Sequence, residues 1–197
     1  MAGKVYSFDG VVPVIDPTAF VHPTAVMIGD VRIGPHCYIG PGVSLRGDFS
    51  AVILGEGCNV QDNAVLHGTP HLDTVVEAGG HIGHGAVVHA CHVGPNVLIG
   101  VNAAVFDGAV IGECAIVAAL SFVRAGFEVP PRTLVAGAPA KVVRPLTDAD
   151  IARKSLGTEA YRRLARYSRE TIVECQPLAE PEPGRRQVDL STFWPMD

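Results

Sequence analysis

The chain has 197 residues, of which 48% are hydrophobic and 18% are charged, and its net charge is −5. This composition favours a folded domain with a solid core over a disordered chain. The negative charge argues against nucleic acid or an anionic membrane as a partner. No apolar run approaches the length of a membrane span, and the N-terminal residues lack an apolar signal region. We therefore expect a cytoplasmic protein.

Residues 1–19 are predicted to form a lead-in segment, in which prolines limit regular structure. Across residues 20–143 an aliphatic residue then returns at six-residue intervals, with short interruptions. The aliphatic positions are Val21, Met27, Ile33, Ile39, Leu45, Leu54, Val60, Leu66, Val76, Ile82, Val88, Ile99, Val105, Ile111, Val117, Val123, Val129 and Val135. Hexapeptide periodicity of this kind is typical of a parallel β-helix. The sequence thus predicts an all-β solenoid whose aliphatic side chains point inward, with the next residue pointing outward.

Two histidines, His67 and His89, each follow an aliphatic position and lie one full coil apart. Because three hexads complete a coil, these two side chains should stack on one outer face, whereas His84 should project from a corner. Such a trio suits a metal ion shared between subunits, since catalytic zinc takes three protein ligands and keeps an open position. Three copies around a threefold axis would set each corner against the next face. Chance is the alternative, because the chain has eight histidines.

The five cysteines do not form a CxxC motif, and their odd number argues against a disulfide framework. Cys91 lies close to His89 in the sequence. It is either a further metal ligand or a coil residue without metal contact, and we favour the second interpretation.

After the coils, residues 144–176 are predicted to form C-terminal helices. Thr147 and Asp150 have the spacing of a capping box. We expect one helix to follow as far as Leu156, a break at Gly157, and a second helix that ends near Glu174. The tail, residues 177–197, is rich in proline and charge and should be irregular or extended.

Three strings resemble the γ-class carbonic anhydrase family: LRGD at 45–48, NVQDNAVLHG at 59–68 and IGHGAVVHACHVG at 82–94. The strings GTEAY at 157–161 and PLAEPEPGRR at 177–186 are most similar to its phenylacetic acid degradation (PaaY) branch and its carnitine operon (CaiE) branch. The resemblance implies a left-handed β-helix that assembles as a homotrimer, with a metal ion at each interface. The metal would be zinc, or else iron or cobalt.

The resemblance also assigns roles to individual residues. His67 and His89 of one chain and His84 of another would hold the metal. Gln61 and Asp62 would act catalytically by orienting a water molecule or a substrate oxygen.

Three more residues stand beside the expected site. Arg46 and Asp48 would form an ion pair across the interface and support the ligands from behind. Tyr161 would supply a hydroxyl group on the substrate side, or else serve only in packing. For Arg46 and Asp62 a purely structural interface salt bridge is the alternative.

The chain also departs from the family pattern. Phe49 stands where the prototype carbonic anhydrase has an acidic residue, and the loop at 68–75 offers only Asp73 as a carboxylate. Without a proton shuttle, proton export would limit hydration of carbon dioxide. A metal-dependent thioesterase that hydrolyses aryl-acyl-CoA is therefore the favoured interpretation. The alternatives are a γ-type carbonic anhydrase, and a hexapeptide acyltransferase or structural partner of a CoA-pathway enzyme.

Overall fold

A computed structural model describes residues 3–194 of the chain. Within these residues the chain forms short strands, one long helix and one 3₁₀ turn. The strands are β1 (Lys4–Tyr6), β2 (Val14–Ile15), β3 (Phe20–Val21), β4 (Val26–Ile33), β5 (Tyr38–Ile39), β6 (Ser44–Leu54), β7 (Asn59–Val60), β8 (Val65–His67), β9 (Thr74–Val76), β10 (His81–Ile82), β11 (Val87–His89), β12 (His92–Val93), β13 (Leu98–Ile99), β14 (Ala104–Val105), β15 (Val110–Ile111), β16 (Ile116–Val117), β17 (Phe122–Val123), β18 (Glu128–Val129), β19 (Thr133–Gly137) and β20 (Ala140–Pro145). The helix is α1 (Asp148–Thr171), and the 3₁₀ turn is Leu190–Thr192.

The strands stack in parallel into a solenoid with three faces. The histidine face contains β8, β11, β14 and β17, the helix face contains β3, β5, β7, β10, β13, β16 and β19, and the third face contains β9, β12, β15 and β18. The long strand β6 runs around a corner, because it pairs with β8 on the histidine face and with β9 on the third face. An antiparallel hairpin of β19 and β20 closes the last coil. The predicted left-handed parallel β-helix is confirmed.

The six-residue repeat builds the interior of the coils. Leu66, Ile82 and Val88 are fully buried, as are the small residues Ala64 and Ala86 that fill the positions between them. Each buried aliphatic side chain contributes about 1.5–3 kcal/mol relative to exposure. The repeat therefore determines which side chains of every coil point inward and which point outward.

Two short strands of the predicted lead-in segment add to the first coil. Strands β1 and β2 both pair in parallel with β4, which places them against the first coil.

The prediction of two C-terminal helices broken at Gly157 is wrong. A single helix, α1, runs through Gly157 and ends at Thr171, three residues before the expected end. Glycine inside a helix costs about 1 kcal/mol relative to alanine. Contacts on either side offset this cost, because Lys154 and Thr158 are both buried against the coils. The predicted capping box is present, with the Thr147 side chain accepting a hydrogen bond from the Asp150 amide.

The tail is exposed and irregular as far as the 3₁₀ turn, in line with the prediction. Near its end the Phe193 ring lies against Tyr167 of α1, with 5.8 Å between ring centroids. The last part of the predicted tail, residues 195–197, lies outside the described residues. Within residues 3–194, helix α1 is too polar to serve as a membrane span, and no other helix approaches the required length.

Candidate metal centre

His67 and His89 stack on the histidine face as the sequence predicts. They are the last residues of β8 and β11 and are direct partners in the parallel ladder between these strands. Their ring centroids lie 5.2 Å apart, and 3.1 Å separates Nδ1 of His67 from Nε2 of His89. The buried residues that precede them, Leu66 and Val88, force both rings outward.

Each of these histidines binds a carboxylate through its other ring nitrogen. Nε2 of His67 lies 3.0 Å from Oδ1 of Asp48, and Nδ1 of His89 lies 2.5 Å from Oδ1 of Asp107. Burial alone would raise the pKa of Asp48, but hydrogen bonds from Arg46 and His67 outweigh it and lower that pKa. An ionised carboxylate only accepts hydrogen bonds, so the ring nitrogen beside it must carry the proton.

Because the outer nitrogen of each ring binds an aspartate, the two inner nitrogens face each other. Nδ1 of His67 and Nε2 of His89 repel one another at 3.1 Å unless a proton or a cation lies between them. Two nitrogens on one tetrahedral zinc ion, with bonds of about 2.0–2.1 Å, would be separated by about 3.3 Å. The pair therefore fits two ligands of a single metal ion. No group of three potential ligand side chains within residues 3–194 of one chain is arranged to complete such a site.

His84 lies at the opposite edge of the histidine face, in the turn between β10 and β11. Its side chain is 50% exposed, and Nδ1 lies 2.8 Å from Oδ2 of Asp62. The rest of this turn and strand β11 separate it from His89, and no trio of potential metal ligands forms among the described residues of one chain. The predicted projection of His84 from a corner is thus confirmed, and this ring is out of reach of the other two in its own chain.

The corner around His84 gathers several of the predicted catalytic residues. Nε2 of Gln61 lies 3.1 Å from Oδ1 of Asn59 and 2.6 Å from Nε2 of His81. The ring of Tyr161, which comes from α1, lies 5.4 Å from the ring of His81. Burial, and after it the charge of Asp62, raises the pKa of Tyr161.

The structure thus divides the predicted site residues into two groups. The face cluster consists of Arg46, Asp48, His67, His89 and Asp107. The corner cluster consists of Gln61, Asp62, His81, His84 and Tyr161.

The arginine and aspartate of the face cluster contact each other within one chain. Nη1 of Arg46 lies 2.6 Å from Oδ2 of Asp48, and an ion pair across an interface stays a prediction. Its role in supporting the histidine is consistent with the structure, because Asp48 contacts both Arg46 and His67.

Two residues of these clusters were not predicted from the sequence. Asp107 follows His89 by 18 residues, which is the coil spacing of this part of the chain, so counting coils would have found it. His81 has no comparable signal, because its burial depends on a helix some 80 residues further along.

An aromatic side chain occupies the expected place of an acidic residue. Phe49 is 59% exposed, and its ring centroid lies 5.4 Å from that of His67. The carboxylate of Asp73, which the loop offers, is already engaged, because its Oδ1 accepts a hydrogen bond of 2.8 Å from the backbone amide of Ala51.

Cys91 is a core residue, in line with the interpretation favoured from the sequence. Its side chain belongs to the buried interior of the coils, and burial raises the pKa of its thiol to about 12. A thiol that remains protonated is a poor metal ligand.

Comparison with known proteins places the chain among hexapeptide-repeat proteins. The family model for the bacterial transferase hexapeptide (six repeats) matches residues 13–47. The carnitine operon protein CaiE of Proteus sp. (strain LE138) is 49% identical over 189 residues, which cover 96% of each chain. CaiE of Escherichia coli (strain K12) is 47% identical over 187 residues, which cover 95% of each chain.

Solved structures show the same architecture. A Bacillus cereus protein named as a candidate acetyltransferase is 34% identical with a TM-score of 0.85, over 86% of this chain and 99% of that one. A hexapeptide transferase family protein from Anaplasma phagocytophilum is 39% identical with a TM-score of 0.81, over 85% and 99%. The chain therefore belongs to the hexapeptide-repeat family of the carnitine operon protein CaiE, which confirms the kinship predicted from its sequence motifs.

Proposed function

We propose that this protein is a metal-dependent hydrolase of acyl-CoA thioesters, with its active site between the subunits of a homotrimer. The observation that carries the proposal is that Nδ1 of His67 and Nε2 of His89 lie 3.1 Å apart, while the other nitrogen of each ring binds an aspartate. Aspartates behind both rings fix this orientation. A carboxylate behind a histidine is the usual support of a metal ligand in proteins.

His84 has the same support as the two stacked histidines. Because Asp62 binds its Nδ1, the free Nε2 is directed away from Asp62 and is available to a neighbouring subunit. The face cluster and the corner cluster lie at opposite edges of one face, so copies joined edge to edge make a head-to-tail contact. Such contacts close into rings when the rotation between subunits permits, and three copies suit a three-faced solenoid.

A zinc, iron or cobalt ion held by these histidines would polarise a carbonyl group and lower the pKa of a water molecule toward neutrality. The protein's own groups then determine the substrate. Gln61 and Asp62 of the corner cluster can orient an oxygen atom by hydrogen bonds. Phe49 gives the opposite side of the site an apolar wall next to His67.

This wall favours a thioester over carbon dioxide as the substrate. Phe49 cannot carry protons, and the Asp73 carboxylate is bonded to the backbone at Ala51 rather than free. Rapid hydration of carbon dioxide depends on proton export, whereas hydrolysis of a thioester places a smaller demand on it. An aromatic acyl group could in addition pack on the Phe49 ring.

An acyltransferase is the second candidate, because the matching family model and two similar solved structures bear transferase names. Transferases of this architecture generally rely on one histidine that deprotonates the acceptor. The convergence of two carboxylate-supported histidines on one point favours the hydrolase instead.

The test combines metal analysis with kinetics on the full-length protein. We expect about one metal ion per chain by elemental analysis, and thiol release from phenylacetyl-CoA that is lost on chelation and restored by zinc. His89→Ala should lose both properties. His92→Ala is the matched control, because that histidine lies on the third face and bonds Glu77. Thiol release that survives complete removal of metal would contradict the proposal, and release only with an added amine acceptor would favour the transferase.

A further inference from the structure

The side-chain amide of Gln61 is held by Asn59 and His81, which are not among the proposed metal ligands. Nε2 of Gln61 lies 3.1 Å from Oδ1 of Asn59 and 2.6 Å from Nε2 of His81. Gln61 is 4% exposed and Asn59 is fully buried, so solvent does not compete for these bonds. An amide nitrogen has two hydrogens, and this arrangement uses both of them.

We propose that His81 is a positioning residue, which with Asn59 turns the carbonyl oxygen of Gln61 toward the reacting atoms at the subunit interface. The inference rests on the proposed function, in which Gln61 orients an oxygen atom of water or substrate. With both amide hydrogens directed inward, the group that Gln61 can offer to the site is the acceptor Oε1. Gln61 would then receive a hydrogen bond there rather than donate one.

The surroundings of His81 keep its Nε2 an acceptor. Burial, followed by the positive charge of Lys154 and then by His84, lowers the pKa of His81 to about 3. The ring is therefore neutral at physiological pH and carries a single proton. Since Nε2 faces a hydrogen of Gln61, that proton belongs on Nδ1.

The arrangement has a cost that a purely structural cluster would avoid. Nδ1 of His81 and Nδ2 of Asn59 are both buried and have no hydrogen-bond partner among the described residues. A buried donor without a partner is unfavourable. Each such group in a native structure calls for an explanation, and the orientation of Gln61 provides one here. The packing of Tyr161 on His81 holds the ring in place despite this cost.

The tautomer of His81 tests the inference without any measurement of activity. In full-length protein labelled with ¹⁵N-histidine, long-range ¹H–¹⁵N spectra distinguish an Nδ1–H ring from an Nε2–H ring. The His81→Gln variant assigns the signal. We expect the Nδ1–H tautomer from pH 6 to pH 8, both with metal and after chelation. An Nε2–H tautomer would overturn the inference, because Gln61 would then present its NH₂ group to the site.

Kinetics of two substitutions provide the second arm of the test. His81→Phe keeps a ring against Tyr161 but removes the acceptor, so kcat for thioester hydrolysis should fall about 10–100-fold with KM and metal content nearly unchanged. His81→Gln returns an acceptor near the position of Nε2 and should recover most of the rate. His92→Phe is the control on the third face. Equal losses in His81→Phe and His81→Gln, or no loss in either, would refute a positioning role.

If the protein hydrolyses no thioester, the kinetic experiment contradicts the proposed function and leaves the orientation of Gln61 to the tautomer measurement. The tautomer still decides which way the Gln61 amide faces, so the two failures are distinguishable.

Discussion

Three histidines of this chain share one chemical arrangement. His67, His84 and His89 each bind an aspartate through one ring nitrogen, and the aspartate does not contact the other nitrogen. His92 pairs with Glu77 in a similar way, but it lies on the third face, away from these rings. The carboxylate fixes the tautomer and the ring angle before any ligand arrives. The close approach of the His67 and His89 nitrogens, and not the histidine–carboxylate pairing alone, thus distinguishes the candidate site from an ordinary surface pair.

Substitution of Asp107 tests this support. Asp107→Ala should weaken metal binding about 10–100-fold, because the His89 ring would be free to rotate and its proton could move to the ligand nitrogen. Competition with a chromophoric chelator measures the affinity. Asp30→Ala is the control, since the Asp30 carboxylate pairs with Arg32 and supports no histidine. Equal affinities of the wild type and Asp107→Ala would show that this carboxylate is not needed.

Phe49 provides a test of substrate preference. Phe49→Glu places a carboxylate beside His67, which should raise hydration of carbon dioxide about 10-fold or more by giving protons a way out. The same change should raise KM for phenylacetyl-CoA, because an apolar contact is lost. Stopped-flow hydration and thiol release measure the two activities, and Phe49→Leu controls for the loss of the ring alone. An increase in thioester hydrolysis in Phe49→Glu would contradict the role of the apolar wall.

At the scale of elements, the repeat explains why so much of the site could be predicted. Leu66 and Val88 must point inward, so the next residues must point outward and stack, and this follows from local pattern alone. The handedness of the coil and the residues around His81 do not follow from it. They depend on contacts between distant segments, which a six-residue pattern does not encode.

The course of α1 illustrates the same limit. The local sequence at Gly157 favours a break, but the helix continues because Lys154 reaches across to the coils. Its Nζ lies 2.6 Å from the carbonyl oxygen of Gly79 and 2.8 Å from Oδ1 of Asn96. Partners 58 and 75 residues away outweigh a local cost of about 1 kcal/mol, and no helix signal reveals them.

Because Lys154 is buried, the stability of the protein should depend on pH. Burial lowers its pKa to about 8, below the ordinary lysine value. Between these two values the unfolded chain binds more protons than the folded one, so the contribution of this group to stability rises with pH. The free energy of unfolding of the wild type, relative to Lys154→Met, should rise by up to about 1.4 kcal/mol per pH unit from pH 8 to pH 9.5.

Urea unfolding of both proteins at several pH values measures this difference. The exposed Lys141→Met variant is the control and should show no such slope. A difference between the wild type and Lys154→Met that is constant over the pH range would mean that the buried amine keeps its ordinary pKa.

At the scale of the whole molecule, the proposed function makes the two clusters halves of one site. His84 lies at one edge of the histidine face and His67 and His89 lie at the other. No group of side chains among the described residues of one chain completes the site. The function that we propose therefore depends on assembly, in which the face cluster of one subunit meets the corner cluster of the next.

Removal of the corner ligand should separate metal binding from folding. His84 lies in a turn, is half exposed and bonds Asp62, so His84→Ala should leave the coils intact. We expect metal content to fall about tenfold or more by elemental analysis, with the circular dichroism spectrum unchanged. Full metal content in His84→Ala would show that the corner histidine is not a ligand.

Mixing of two inactive variants tests whether the ligands come from different chains. His84→Ala keeps the face cluster, and His89→Ala keeps the corner cluster. After co-expression in equal amounts, random assembly should restore roughly one quarter of the sites, because an intact face must meet an intact corner. Metal content and thioesterase activity of the mixed protein should recover to this fraction, whereas each variant alone stays inactive. If the histidines of one site belonged to a single chain, every chain in the mixture would lack a ligand and no activity would return.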